Sequence, residues 1–199
     1  MPSFALFSWC CHLGFFDTEK NVLEYIKMAE GFDGRDLISL LGGILPPGST
    51  VLELGMGPGK DLDILSENFR VTGSDLSRVF LDLYRKNNPG SDLILLDAVT
   101  LKTQRKFDCI YSNKVLQHIS KDDLKASFRK QWDILNDDGI LFHTFWKGDR
   151  EEMMDDLLFV YYTEDGLKEL TGDGYQLIRS DIYKEMEEDD SILIVLRKQ

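Results

Sequence analysis

The segment that most constrains this chain is Val51-Leu52-Glu53-Leu54-Gly55-Met56-Gly57-Pro58-Gly59, a short apolar run that leads into three alternating glycines. An apolar run bounded by glycine reads as a buried strand. Apolar residues at helical spacing from about Asp61 to Asn68 then read as the helix that follows. Glycine turns tightly and lets main chain approach a ligand without a Cβ in the way. The start of the next helix offers unpaired N–H groups to the same place. A strand, a bare loop and a helix in this order begin an α/β sheet that holds a ligand beyond the carboxyl end of the strand.

The rest of the chain repeats this alternation. Val71 to Ser74 reads as a second strand ending at Asp75, followed by a helix from Ser77 to Lys86. Leu93 to Leu96 makes a third strand ending at Asp97, and Phe107 to Tyr111 a fourth, followed by a helix from about Asp122 to Leu135. Asp137-Asp138-Gly139 turns into a fifth strand, Ile140 to Phe145, and a helix follows near Thr163 to Leu170. Gln176 to Tyr183 and Ser191 to Arg197 are joined by the acidic turn Glu185 to Asp190, which has no room for a crossover helix, so they should pair antiparallel. Upstream, Thr18 to about Leu45 reads as two helices broken at Gly31 to Gly34 and stopped by Pro46-Pro47-Gly48. Strands that are apolar nearly throughout belong to a parallel sheet covered on both faces. The expected fold is therefore α/β: a doubly wound, seven-stranded, mostly parallel sheet with an antiparallel last strand. Residues 1–199 should make one domain, with 1–45 a helical N-terminal segment covering the ligand site.

Composition narrows the partners. The chain has 199 residues, 43% of them hydrophobic, enough for one sizeable core. A net charge of −12 repels nucleic acid and anionic membranes, so neither is expected as a partner. Cys10, Cys11 and Cys109 are an odd set with a vicinal pair, unlike a disulfide framework, which favours a cytoplasmic location. Phe4 to Phe16 is apolar, but it lacks a basic leader region and is too short to span a bilayer. It reads as a packed segment, with a lid over a pocket or thiol chemistry at Cys10 and Cys11 as the alternatives. No metal is expected, since His12, His118 and His143 are far apart in sequence.

The spacing of the glycines separates rival loops. A dinucleotide fingerprint needs G-x-G-x-x-G, yet Lys60 stands where the third glycine belongs; a phosphate loop ending in Gly-Lys-Ser/Thr is absent. Asp75 lies 20 positions after Gly55 at a strand end, where a carboxylate can accept both hydroxyls of a ribose. Its alternative reading is a cap for the next helix, although Ser77 can fill that role. Asp97 and Ala98 end the third strand, where a solvated turn is the alternative reading. The fourth strand continues as Phe107-Asp108-Cys109-Ile110-Tyr111-Ser112-Asn113-Lys114-Val115-Leu116-Gln117-His118-Ile119.

Taken in order over roughly residues 45 to 145, these segments resemble motifs I and IV of the class I S-adenosylmethionine-dependent methyltransferases, of the small single-domain type 11/12-like kind. The resemblance implies a Rossmann-like methyltransferase fold, S-adenosyl-L-methionine as cofactor and S-adenosyl-L-homocysteine as product. It puts Glu53, Gly55, Met56, Gly57 and Gly59 along the cofactor, Asp75 and Leu76 at its ribose, Asp97 and Ala98 at its adenine, and Ser112 and Asn113 beside its methionine part. It carries over the cofactor and the reaction, not the acceptor.

Methyl transfer from a sulfonium is an in-line displacement with a neutral leaving group, so alignment is the protein's main task; orientation supplies about 7–11 kcal/mol of such barriers. A base is needed only where the acceptor must lose a proton. His118 is the candidate, with a solvent-exposed helix-start histidine as the alternative; His143 reads more readily as a core residue. Trp146, Tyr25 and Tyr162 are candidates for the acceptor pocket, with Tyr161 nearby, although each by itself reads more readily as core packing. The expected function is transfer of a methyl group to a small-molecule acceptor. The rivals are a noncatalytic S-adenosylmethionine-binding protein and a nicotinamide-dependent oxidoreductase.

Overall fold

The structure is a computed structural model that describes residues 16–154 and 157–199. The expectations for Cys10, Cys11 and the apolar segment before Phe16 lie outside the described residues. Helices α1 (Glu19–Met28) and α2 (Arg35–Gly42) precede strand β1 (Thr50–Leu54). Then come α3 (Lys60–Ser66), β2 (Arg70–Asp75), α4 (Arg78–Asn87), β3 (Leu93–Leu95) and β4 (Phe107–Asn113). A short 3-10 turn, Leu116–His118, leads into α5 (Lys121–Ile134) and the long strand β5 (Leu135–Trp146). The chain ends with β6 (Glu151–Met154), β7 (Leu157–Val160), α6 (Glu164–Thr171), β8 (Tyr175–Tyr183) and β9 (Ser191–Lys198). Hydroxyl caps start four of the helices: Thr18, Ser77, Ser120 and Thr163 each accept an N–H from the first turn.

The main sheet has seven strands in the order β3-β2-β1-β4-β5-β9-β8. Pairing is parallel from β3 across to β5, and β9 runs antiparallel to both β5 and β8, as the sequence implies. Alternating residues along each strand feed two cores, because a strand turns successive side chains to opposite faces. Leu52, Leu54, Ile110, Leu141 and Phe145 pack with Leu124, Phe128 and Leu167 of α5 and α6. Val51, Cys109, Tyr111, Ile140 and Phe142 pack with Ile38, Leu41, Ile64 and Leu65 of α2 and α3. The chain travels outward from β1 to β3 and then returns to lay β4 against β1. The reversal opens the crevice between the carboxyl tips of β1 and β4.

One element is absent from the sequence reading. Strands β6 and β7 form a separate antiparallel hairpin. Its strands have four residues each and pair only with one another, so no long apolar run marks them. No helix among the described residues is long and apolar enough to cross a membrane.

Candidate functional site

The loop after β1 is built on left-handed main chain: φ is +65° at Gly55, +49° at Gly57 and +83° at Gly59. A Cβ on Gly55 would stand 2.5 Å from a methyl of Val115. Residues other than glycine are therefore strained at Gly55 by both conformation and space. Met56 turns its side chain into the core with Leu62 and Leu81, so only its main chain faces the loop.

Asp75 at the tip of β2 binds this loop directly. Its carboxylate accepts the N–H of Gly57 at 2.9 Å and that of Ser77 at 2.8 Å, which joins the tips of β1 and β2. Burial pushes its pKa up, and the N–H groups of Ser77 and Gly57 pull it partly back. Next to it, Leu76 leaves 42% of its surface exposed. Asp97 accepts Val99 N–H at 2.7 Å and the Thr100 hydroxyl at 3.3 Å, so it shapes its own turn. The carbonyl of Ala98 accepts the Ser127 hydroxyl at 2.6 Å.

Glu53 is 4% exposed, and its Oε2 has no hydrogen-bond partner. Burial, then the charges of Asp61, Asp75 and Asp63, push its carboxyl well above the usual carboxylate range. A buried acceptor left unmatched is costly. A positively charged or N–H-bearing ligand at this edge would relieve both the desolvation and the mutual repulsion.

Asp61, absent from the sequence-derived candidates, is the hub of the crevice. It accepts Gly34 N–H at 2.6 Å on one oxygen, and on the other the Tyr111 hydroxyl at 2.8 Å and the Asn113 amide at 3.1 Å. Asn113 Oδ1 accepts the Thr144 hydroxyl at 2.7 Å, and Thr144 in turn accepts the N–H of Lys114 at 3.0 Å. One chain of hydrogen bonds thus ties α3 to the start of α2 and to the tips of β4 and β5. A Cβ on Gly34 would fall 2.5 Å from the Tyr111 hydroxyl. The available sequence signal was a carboxylate in the first helical turn after a glycine loop.

Ser112 is fully buried and turns its hydroxyl away from the crevice, 2.8 Å from His143 Nδ1. His143 Nε2 lies 2.7 Å from Gln131 Oε1, an obligate acceptor, so Nε2 carries the proton and Nδ1 accepts from Ser112. His143 is thus a core residue, with burial pulling its pKa from 6.5 down to about 3. The sign follows from linkage: the unfolded chain binds a proton at this position between those two values and the folded chain does not. Stability from neutral His143 is complete above pH 6.5 and is lost as pH falls toward 3. Buried Glu53 and Asp75, with raised pKa values, act in the opposite direction. Urea unfolding at pH 7 and pH 5 should show a smaller acid loss in His143→Gln than in the parent chain; equal losses would overturn this assignment.

Tyr25 of α1 lies over the loop, with a ring carbon 3.9 Å from the place a Cβ of Gly57 would take. It packs edge-on to Phe16 and Phe80, at 5.3 and 5.8 Å between ring centres. Burial, then Asp75 and Asp61, raise the pKa of its hydroxyl. Trp146 stands at the tip of β5, and its main-chain N–H donates to Gln117 Oε1 at 3.2 Å.

Two expectations need correction. His118 Nδ1 lies 2.8 Å from the Leu158 carbonyl, which can only accept, so the proton sits on Nδ1; Nε2 is 3.4 Å from Gln117 Nε2. With its ring edge-on to Phe159 at 4.6 Å, His118 ties the 3-10 turn to the β6–β7 hairpin instead of standing exposed to solvent. Tyr162 is 2% exposed and packs against Phe145 within the core beneath the sheet tips, so it does not wall a pocket. Among the described residues no group of His, Cys, Asp and Glu is arranged to hold a metal ion.

The glycine loop and the acid at the next strand tip are thus joined at one edge of the crevice. Residues 51–139 also match the family model of a methyltransferase domain. Over this stretch, somewhat under half of the chain, the sequence is thus similar to a methyltransferase domain.

The crevice lies within a fold shared with solved methyltransferase structures. One is an S-adenosylmethionine-dependent methyltransferase from Clostridium acetobutylicum, with a TM-score of 0.73 and 16% identity over 90% of this chain and 98% of that one. A second is the 1,6-didemethyltoxoflavin-N1-methyltransferase of Burkholderia thailandensis, solved with 1,6-didemethyltoxoflavin and S-adenosylhomocysteine bound. It has a TM-score of 0.69 and 20% identity over 90% of this chain and 88% of that one. In sequence, the chain is 28% identical over 110 residues to a tRNA (carboxymethyluridine(34)-5-O)-methyltransferase of Arabidopsis thaliana, 54% of this chain and 26% of that protein. The chain spans about a quarter of the length of the curated relatives it matches.

Proposed function

We propose that this chain binds S-adenosyl-L-methionine in the β1–β4 crevice and transfers its methyl group to a small-molecule acceptor, releasing S-adenosyl-L-homocysteine. The observation that carries the reading is the Asp75 carboxylate hydrogen-bonded to Gly57 at the junction of two strand tips. That carboxylate is available to a ribose, while Leu76, Asp97 and Ala98 border the adenine side. Gly55, Gly57 and Gly59 supply bare main chain, and Glu53 offers a buried acceptor with an unmatched oxygen. The main chain at Ser112 and the side chain of Asn113, fixed by Asp61 and Thr144, border the methionine end.

The bound cofactor supplies an electrophilic methyl on a sulfonium. The protein's contribution is to orient it, to keep water out and to align the acceptor. Tyr25, and with it the helical part of residues 1–45, covers the loop. Trp146 provides an aromatic face at the next strand tip. His118 positions the β6–β7 hairpin, and in this arrangement it offers no unbonded ring nitrogen for proton removal. Cytoplasmic location belongs to the same reading, since the cysteine pattern suits a reducing compartment.

The relative that acts on tRNA makes nucleic acid the reading to test against. Charge separates the two, since a chain at −12 has an unfavourable long-range interaction with phosphate. Calorimetry with S-adenosylhomocysteine should give saturable binding tighter than that of a nicotinamide nucleotide. Methyl-labelled cofactor should then transfer label to a member of a panel of small amines, phenols, thiols and acids. No binding of S-adenosylhomocysteine removes the proposal, label found only in added tRNA replaces the acceptor class, and binding without any labelled product indicates a noncatalytic domain.

A further inference from the structure

A second chain of hydrogen bonds runs inside the core, distinct from the Asp61 network. It begins at the Ser112 hydroxyl near the end of β4, crosses to His143 on β5, passes through Gln131 and Ser127 of α5, and ends at the main-chain carbonyl of Ala98 beyond β3. The four distances, in that order, are 2.8, 2.7, 2.9 and 2.6 Å. Local structure brings the members together. Ser112 and His143 are cross-strand partners in the β4–β5 register. Ser127 and Gln131 stand four residues apart on one face of α5.

The sense of the chain is fixed from one end. A carbonyl oxygen only accepts, so Ser127 gives its hydrogen to Ala98 and accepts from Gln131. Gln131 therefore turns Nε2 to Ser127 and Oε1 to His143, which puts the ring proton on Nε2 and leaves Nδ1 to accept from Ser112. Every donor points from β4 toward Ala98. Ser112, His143, Gln131 and Ser127 are all 0% exposed, so bulk water does not replace a missing member. Hydrogen bonds that run in one sense through a low-dielectric core polarise one another and weaken together when one is removed. The two ends border the crevice, Ala98 on the adenine side and Ser112 at the methionine end. Gln131 and His143 stand between them in the core.

We propose that Gln131 and His143 are positioning residues of the cofactor site: acting through Ser127 and Ser112, they set the span between the Ala98 turn and the tip of β4. The crevice is thereby matched to a nucleoside with a long 5′ substituent, which has to meet both ends at once. The inference rests on the methyl-transfer reading above and names the residues outside the crevice that tune it. A nucleoside without the amino-acid arm needs only the Ala98 end, and that turn adapts to it locally. The alternative is a polar network that serves folding alone, whose loss lowers stability without changing which ligand is preferred.

Two probes separate these roles: S-adenosylhomocysteine spans both ends, whereas 5′-methylthioadenosine has the same nucleoside and sulfur but no amino-acid arm. Calorimetry on the full chain carrying Gln131→Met should show S-adenosylhomocysteine weakened about tenfold or more and 5′-methylthioadenosine less than about threefold. Ser127→Ala, a smaller change that cuts only the Ala98 end, should give the same ordering with a loss of about fivefold for S-adenosylhomocysteine; this test stands if Gln131→Met does not fold. Nitrogen NMR of the His143 ring, assigned by its loss in His143→Gln, adds a readout that a folding role leaves still. Both ring signals should shift when S-adenosylhomocysteine saturates the parent chain, and 5′-methylthioadenosine should move them less. Equal factors for the two ligands in the variants, or ring signals that S-adenosylhomocysteine leaves in place, overturns the positioning role while leaving the methyl-transfer reading intact. A parent chain that binds no S-adenosylhomocysteine overturns that reading, and the positioning role with it.

Discussion

Asp75→Ala is expected to weaken binding of S-adenosylhomocysteine by roughly a hundredfold, close to 3 kcal/mol, while leaving the chain folded. Hydrogen bonds to a charged group contribute about 1.5–3 kcal/mol each, and a ribose presents two hydroxyls to this carboxylate. The carboxylate also holds the N–H groups of Gly57 and Ser77, so the loop loses an anchor at the same time. Asp75→Asn keeps one acceptor oxygen but no charge, and a loss of about tenfold is expected. Because burial disfavours the ionised form of Asp75, its removal should cost the empty chain little stability. Calorimetry with each variant, paired with urea unfolding, separates ligand contacts from folding. A change of less than twofold in the affinity of Asp75→Ala would remove Asp75 from the cofactor site.

The largest effect on stability should come from Asp61→Ala. It strands three donors, the Gly34 N–H, the Tyr111 hydroxyl and the Asn113 amide, at the centre of the crevice. Unsatisfied buried donors cost about 1–3 kcal/mol each, and access of water to Asn113 recovers part of that, so a loss of about 3–5 kcal/mol is expected. Domains of this kind are stable by only about 5–15 kcal/mol, which leaves the variant near unfolding. Tyr111→Phe alone should cost less, and in the Asp61→Ala background it should cost almost nothing, because the partner is already gone. Urea midpoints for the four chains measure this coupling. Additive losses, or a loss below about 1 kcal/mol for Asp61→Ala, would show that the network does not hold the crevice.

Alternation of apolar strands with helices was legible because strands of a parallel sheet are buried on both faces, which produces continuous apolar runs such as Val51 to Leu54. Glycines at 55, 57 and 59 were legible as a ligand loop for an equally local reason: each takes a left-handed conformation that side chains disfavour. Asp75 was visible from its place at a strand end. Asp61 was not, because the residues it binds are 27, 50 and 52 positions away and come together only when α2, α3 and β4 pack. The β6–β7 hairpin escaped notice since its short strands pair only with each other, and it is the hairpin's Leu158 carbonyl that decides where His118 carries its proton.

Sequence alone determined the order of elements, the sheet type and the loop, all of which depend on neighbours a few residues apart. Tertiary structure decided which polar groups meet: Ser112 and His143 inside the core, Asp61 with Tyr111 and Asn113, and Lys114 over Trp146. The physical reason is range. Periodicity and backbone strain act along the chain, whereas hydrogen bonding and desolvation depend on contacts that the chain makes only when folded.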